Sequence, residues 1–397
     1  MILLVIFLAT VFFALCTWLY FFLYLIKSIK QSPILRDFKK YRTKGPRVSV
    51  IVPALNEEKN ISECLDSLLN QDYHNFEIVA VNDSSSDMTG EIMHRYQIKN
   101  PKKVLSITAG SKPVDWVGKN WACYQGYLNA SGEIFVFTDA DTVLSSCSVI
   151  SNAVRYLIEQ ELDALTVRPN VICDGIWIKI VFPILWTLSH IKYSALSVNS
   201  VKSKTGYFFG CFFVISKRAY ELVGTHQRVK NEIVEDAALG QKIKQQKFKS
   251  KMVRGEHCID TLMKGDFATL WQGLKRSINL IPFCFNGIAN ICMIFILLLE
   301  PFVLLPISFY LTSLQCYGCS SLLSLILLTI NLMTIILIIS INMIQLRLSL
   351  SCKTIYALLC PLAYTIVSIA FISFIIKSRH RGLINWRGTE YVIIKHR

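Results

Sequence analysis

An α/β domain with a mostly parallel sheet and helices on both of its faces, set between membrane-crossing helices at either end, is the fold class that this sequence predicts. Three observations carry the prediction. Between Arg47 and Arg276 short apolar runs alternate with amphipathic stretches, and repeated strand–helix alternation builds a parallel sheet covered on both sides. Ile2 to Ile26 holds no charged residue and, at ~1.5 Å of rise per residue, is long enough to cross a hydrocarbon core of ~30 Å. After Arg276 the apolar texture returns. The whole chain is 53% hydrophobic with a mean hydropathy of +0.43, which excludes an ordinary soluble protein and implies membrane segments around a globular part.

The first apolar stretch is followed by Lys27, Lys30, Arg36, Lys39, Lys40, Arg42 and Lys44. A signal peptide carries its charge before a shorter apolar run and ends at small residues, so residues 1–28 read as an uncleaved anchor. The positive-inside rule then puts the central domain, residues 45–276, on the cytoplasmic face. Within it, RVSVIVPALNEEKNISECLDSLLNQ predicts a strand over Val48 to Val52, a turn at Pro53, and a helix burying Ile61, Leu65, Leu68 and Leu69 at helical spacing. FEIVAVNDSSSD predicts a second strand running into an acidic loop with Asp83 and Asp87, and a third strand covers Val104 to Thr108, before a helix from about Lys119 to Leu128.

The fourth strand lies in EIFVFTDADTVL, where the apolar run Ile134 to Phe137 stops at two carboxylates, Asp139 and Asp141. Side chains at i and i+2 of an extended strand project to one side and can converge on one ligand. Paired carboxylates suit Mg2+ or Mn2+, which complete their shells with water and phosphate oxygens, and so point to a phosphorylated substrate. Taken alone, an Asp-x-Asp is equally a loop cap. Sheets of this kind bind ligands beyond the C-terminal ends of their strands, and Asp83, Lys119, Asp139 and Asp141 are all placed there. One shared crevice is the expectation.

Net charge is +15, from 42 Lys+Arg against 27 Asp+Glu. No nucleic-acid module is apparent, so the excess points to a membrane surface and to phosphate. The 13 cysteines lack metal-ligand spacing and read as reduced core residues; a bridge between Cys316 and Cys319 is left open. Apolar spans are expected at Ile291–Leu311, Leu322–Met343 and Ile355–Ile376, within residues 280–377, ahead of a basic tail at 378–397. Three spans put that tail outside while its charge argues for inside. Glu300-Pro301 should face protein or water. The run WIKIVFPILWTLSHI, Trp177 to Ile191, reads either as an acceptor-side segment in the membrane interface or as a buried core helix.

VIVPALNEEKNI, VNDSSSD, the TDAD strand end, GYFFGCFFVISKRAYELVG and VEDAALG, in this order, resemble family 2 glycosyltransferases of the GT-A nucleotide-diphospho-sugar transferase fold, from about Arg47 to Arg276. The resemblance implies that Pro53, Ala54, Glu57 and Asp83 hold the nucleotide and that Asp139 and Asp141 hold the metal and diphosphate. It nominates Asp236 as general base, with Glu235 beside it. Lys119 would add a further cation at the diphosphate, or else be a solvated loop lysine. WVGKNWACYQG, VGTHQRVKNEIVEDAALGQKIK and INWRGTEY further resemble membrane-anchored enzymes associated with hopanoid and carotenoid glycosylation. On the acceptor side stand Trp116, which with Trp121 either lines a groove or packs in the core, His226, which touches phosphate or acceptor or is structural, and Gln272 with Arg276.

One departure bears on the reaction. Processive polysaccharide synthases carry Gln-x-x-Arg-Trp, whereas here LWQGLKRSI spaces Gln272 and Arg276 by one residue too many and no Trp follows. Transfer of a single sugar from a UDP- or GDP-sugar to a lipid of carotenoid, hopanoid or polyprenyl type therefore fits the resemblance better than polymerisation, and one candidate base with no obvious nucleophile predicts inversion. A processive polysaccharide synthase and a non-catalytic nucleotide-sugar-binding membrane protein are the alternatives.

Overall fold

The structure, a computed structural model, describes residues 2–36, 45–277, 287–313, 321–378, 383–386 and 389–392. In chain order the elements are α1 (Ile2–Gln31), β1 (Val48–Ala54), α2 (Ile61–Leu69), β2 (Phe76–Asn82), α3 (Thr89–Lys99), β3 (Val104–Thr108), α4 (Gly118–Leu128), β4 (Ile134–Phe137) and β5 (Thr142–Leu144). There follow α5 (Val149–Glu159), β6 (Ala164–Arg168), β7 (Asn170–Asp174), α6 (Ile176–Lys192), α7 (Ala195–Asn199), β8 (Phe213–Ser216), α8 (Lys217–Leu222), α9 (Glu235–Gln245), β9 (Ser250–Arg254), β10 (Ile259–Lys264) and α10 (Phe267–Arg276). Two compact units form. One comprises Gln31–Ile172 and Tyr193–Leu262; the other comprises Met1–Lys30, Cys173–Lys192 and Met263–Arg397.

The first unit is built on a seven-stranded sheet of order β3-β2-β1-β4-β8-β6-β9. β1 pairs in parallel with β2 and β4, β2 with β3, and β6 with β9, while β8 runs antiparallel to both β4 and β6. The sheet is thus mixed, with one reversed strand. All seven residues of β1, VSVIVPA, are buried, as expected of a central strand covered on both faces. The period of two divides them. Val48, Val50 and Val52 pack with Ile61, Leu65 and Leu68 of α2, Met93 of α3 and Val149, Val154 and Leu157 of α5. Ile51 faces the other way, with Ala122 of α4, Tyr220 of α8, and Leu239 and Ile243 of α9. Each such aliphatic side chain, fully buried, contributes roughly 1.5–3 kcal/mol, so the two cores fix the register in which the strand ends line up.

The edge strand β9 is covered by the chain that follows α1. Leu35 N donates to Arg254 O and Arg254 N to Pro33 O, both at 2.8 Å, and Leu35 is buried in the core of this unit. That pairing removes an open edge.

The second unit is mainly helical, with one antiparallel strand pair, Leu383–Trp386 and Thr389–Val392. Among the described residues, four stretches are long and apolar enough to cross a membrane: Val5–Gln31, Ala289–Ser313, Leu322–Leu348 and Thr354–Ser373. The second comprises α11 (Gly287–Ile294), a π-helical segment Phe295–Leu299 and α12 (Glu300–Ser313); the others beyond it are α13 (Ser321–Leu348) and α14 (Cys360–Ser378) with its 3-10 lead-in Thr354–Leu359. Trp18 Nε1 donates to Leu297 O at 3.0 Å and Thr10 Oγ1 to Glu300 Oε1 at 2.5 Å. Glu300 is buried against protein.

α6 takes the interior reading of its two. It packs against α13 and α14, with Ile178, Ile180, Val181, Ile184, Leu185 and Leu188 buried. An interfacial helix would leave one polar face to water; here even His190 is buried, with Nε2 2.9 Å from Ser28 Oγ. The ten described cysteines are thiols, none joined in a disulfide, while Cys316 and Cys319 lie outside the described residues, as do Lys39, Lys40, Arg42 and Lys44 and most of the C-terminal tail.

Candidate active site

The C-terminal ends of β1, β2 and β4 carry the loops from which the site is made. After β1, Asn56 adopts φ +56°, a left-handed conformation that asparagine tolerates. Its Oδ1 accepts from Ser86 N at 2.8 Å, its N donates to Ser85 Oγ at 3.0 Å, and Glu57 N donates to Thr89 Oγ1 at 2.8 Å. Asp87 accepts from Glu58 N and from Thr89. The hydroxyl-rich loop after β2 is therefore sewn to the loop after β1, with Asp87 as a tie.

Asp83 has another setting. Its N donates to Ala54 O at 2.8 Å, and a Cβ on Gly118 would stand 2.8 Å from its Oδ2. The carboxylate thus rests on the first turn of α4, one residue from Lys119. Pro53 and Ala54 are buried in β1 and set the strand end by their backbone. Glu57 accepts from Asn60 Nδ2 at 2.8 Å and lies close enough to Asp141 to perturb it.

The central pair departs from the strand geometry expected of it. β4 ends at Phe137, and Asp139 to Asp141 form a turn closed by Thr142 N donating to Asp139 O at 3.1 Å. Their approach comes from that turn, not from the i, i+2 pleat. Thr138 Oγ1 donates to Cys211 O at 2.8 Å, which binds the turn to the end of the GYFFG loop.

Two helix starts complete the site. Asn120 Nδ2, fully buried, donates to Val229 O at 2.6 Å and to Glu232 O at 3.0 Å, and Val117 N donates to Lys230 O at 2.8 Å. These bonds hold the start of α4 against the segment leading into α9. Lys119 Nζ then lies 2.7 Å from Asp139 Oδ1 and 2.7 Å from Glu235 Oε1. A Cβ on Gly210 would stand 2.7 Å from Asp236 Oδ2, 3.0 Å from Lys119 Nζ and 3.3 Å from Asp139 Oδ2. Residues far apart in the chain meet around one glycine.

The electrostatics follow from this crowding. Burial, and after it the charges of Asp139 and Glu57, pushes Asp141 up to about 7; burial, and then Glu235, pushes Asp236 up to about 7. Burial pulls on the Lys119 proton, but Asp139, Glu235 and Asp236 outweigh it and hold the ammonium well above its usual value. Lys119 is a permanent cation among acids, not a solvated loop lysine. Glu235, buried and paired with it, is its counterion, whereas Asp236 is half-buried and keeps one oxygen toward Gly210 while Oδ1 accepts from Ala237 N at 2.7 Å.

Among the described residues no group of three or more His, Cys, Asp or Glu could hold a metal. The donor set nevertheless fits a hard divalent ion. Asp139 and Asp141 share one turn, Asp139 close enough to perturb Asp141 and Glu57 nearby, a set of oxygen donors that suits an ion that fills its remaining positions with water and phosphate oxygens.

The acceptor-side residues fare differently. His226 is 1% exposed; its Nδ1 lies 2.6 Å from Tyr220 Oη, and its ring packs 4.9 Å from that of Phe137. Burial, and then Lys119, brings it down to about 3, so it is a neutral structural histidine beneath the site and not an acceptor contact. Trp116 is likewise buried, its ring 5.1 Å from those of Trp121 and Tyr124, and takes the core reading. Gln272 and Arg276 lie on α10 in the other unit; Gln272 is exposed and the side chain of Arg276 lies outside the described residues. Sequence reasoning missed Gly210, Tyr193 and Tyr207. The two tyrosine rings stack 4.3 Å apart, and Asp236 acts on the Tyr193 phenol after burial does. The paired glycines of GYFFG were the signal available.

Residues 49–224 match the family model described as Glycosyl transferase family 2. The 4,4'-diaponeurosporenoate glycosyltransferase of Staphylococcus haemolyticus is 25% identical over 244 residues, 60% of this chain and 63% of that protein. The protein of the same name from Staphylococcus aureus is 29% identical over 196 residues, 49% of this chain and 50% of that protein. The chain thus spans between half and less than two thirds of the length of these curated relatives. The mannosyltransferase PcManGT of Pyrobaculum calidifontis, solved with GDP-Man and Mn2+, shares the fold with a TM-score of 0.56 at 18% identity, covering 94% of this chain and 100% of that one.

Proposed function

From the match of residues 49–224 to the glycosyl transferase family 2 model and the fold shared with a mannosyltransferase, we propose that the chain is a membrane-bound inverting glycosyltransferase of GT-A fold. It moves one sugar from a nucleotide-sugar donor to an apolar lipid acceptor, with the sheet unit on the cytoplasmic face. The observation that carries this reading is the meeting of Lys119, Asp139 and Asp236 around Gly210, with Glu235 paired to Lys119. The names of the staphylococcal relatives support an acceptor of carotenoid type, and the helices long enough to cross a membrane support a site served from the bilayer.

Asp83 and Glu57 hold the nucleotide at the ends of β2 and β1. A divalent ion, Mg2+ or Mn2+, held by Asp139 and Asp141 would neutralise as a Lewis acid the charge that develops on the leaving diphosphate. The acceptor is a lipid hydroxyl or carboxylate; from a hydroxyl, Asp236 takes the proton as the acceptor oxygen bonds to the anomeric carbon and the bond to the diphosphate oxygen breaks, the diphosphate leaving with the electron pair. A base of this kind contributes typically ~10²–10⁴ in rate. One displacement by an external hydroxyl inverts the anomeric centre.

The reading is tested in membranes from expressing cells, with labelled UDP- and GDP-sugars and counting of label in the organic extract. One sugar added per lipid, lost on Asp236→Asn at unchanged protein level, supports it. Long polymer would favour a processive synthase, and product unaffected by Asp236→Asn would favour a non-catalytic binding role.

A further inference from the structure

Lys119 makes two ion pairs that pull in different directions. Its Nζ is 2.7 Å from Asp139 Oδ1, an oxygen on the carboxylate that the proposed site offers to a divalent ion, and 2.7 Å from Glu235 Oε1, in the first turn of the helix that carries Asp236. Glu235 is 5% exposed. Asn120, next to Lys119 in the chain, is fixed by two hydrogen bonds to Val229 O and Glu232 O, so the lysine is fed into the cluster from a rigid turn. The distance from Nζ to the Cβ position of Gly210 is 3.0 Å, and from that position to Asp236 Oδ2 2.7 Å, so the ammonium stands beside the base as well.

We propose that Lys119 is a built-in competitor for the divalent cation: it shares Asp139 with the metal, and Glu235 sets how strongly it does so by drawing the ammonium away. The inference rests on the reading of Asp139 and Asp141 as metal ligands. Physically, a fixed positive charge in contact with a ligand oxygen both occupies a lone-pair direction and repels the incoming ion. Removing it strengthens metal binding. Removing Glu235 does the reverse, because Lys119 then has Asp139 as its remaining close partner in the cluster and the site loses a negative charge. Lys119 is thus a positioning residue that keeps metal affinity low enough for the ion to come and go with the donor and product.

The test is a Mn2+ titration of the full chain purified in detergent, following free Mn2+ by electron paramagnetic resonance, for wild type, Lys119→Met, Lys119→Arg and Glu235→Gln, with Asp139→Asn as reference. Lys119→Met is expected to bind Mn2+ about tenfold more tightly than wild type, Glu235→Gln several-fold more weakly, and Lys119→Arg like wild type; about tenfold is the usual size of a coupling between sites in contact. A lysine with a merely structural role would weaken binding in both variants, since each leaves a buried charge alone and disturbs the site. Equal or weaker Mn2+ binding by Lys119→Met overturns the inference, as does tighter binding by Glu235→Gln. Unchanged Mn2+ binding by Asp139→Asn would instead overturn the assignment of the metal ligands, so the two failures are distinguishable.

Discussion

Replacing Gly210 by alanine separates the site from the fold. Gly210 is not among the described glycines with positive φ, so an alanine there meets no backbone strain and removes conformational freedom from the unfolded chain, an effect of about 0.4–1 kcal/mol in favour of folding. The new methyl, however, lands 2.7 Å from Asp236 Oδ2 and 3.0 Å from Lys119 Nζ, both of them ends of side chains. Moving from 2.7 Å to an ordinary contact of 3.4 Å asks the Asp236 carboxylate to retreat by about 0.7 Å. Misplacement by about 1 Å can cost on the order of 10²-fold in rate, so Gly210→Ala is expected to lower turnover per folded molecule by at least about tenfold with no fall in thermal stability. The assay is label transfer into the lipid extract, normalised to folded protein by fluorescence-detected size exclusion after heating. Gly240→Ala is the contrast: its Cβ would stand 2.7 Å from Phe208 N and Tyr207 C, backbone that cannot give way, so it should lose roughly 1–3 kcal/mol of stability. Wild-type turnover in Gly210→Ala would refute the placement of Asp236, Lys119 and Asp139 as one working cluster.

Three further outcomes follow from the same geometry. Asp139→Asn combined with Asp141→Asn should abolish transfer, and chelation with EDTA should do so reversibly in the wild type, with Mn2+ restoring the activity; turnover that survives both means the turn after β4 holds no metal. His226 is held neutral down to about 3 against 6.5 for a free histidine, so below pH 6.5 the unfolded chain takes up a proton that the folded one refuses. Its contribution is therefore whole above 6.5 and drains by about 1.4 kcal/mol per pH unit as pH falls toward 3. Thermal melts should show this acid sensitivity shrinking in His226→Phe, and an unchanged pH slope would contradict it. Finally, NMR of the product should show inverted configuration at the transferred sugar; retention would require a nucleophile that this reading does not include.

The placing of the acidic residues near one another was legible in the sequence because they sit where strands stop or a helix starts. Apolar runs ending abruptly at Asp83 and Asp139 name their own ends, and Asp236 stands at a helix start whose register is local. The acceptor side was not legible, and the reasons are tertiary. Trp116 and His226 are polar-tipped residues in suggestive motifs, yet their rings pack against Trp121 and Phe137, contacts that no local pattern records. The stretch of α6 admits both an interfacial and a buried reading because Lys179, Pro183 and His190 interrupt it, and only the helices around it show that the interruptions are absorbed, with Ser28 meeting His190. The ion pair of Lys119 with Glu235 joins residues more than a hundred apart in sequence, so the lysine could be nominated for phosphate but not recognised as the partner of two acids.

The most direct measurement is the mass of the lipids extracted from matched cells that express the wild type or Asp236→Asn at equal protein level. The account predicts a lipid heavier by a single sugar residue in the first extract and its absence from the second. The same glycolipid in both extracts would contradict it.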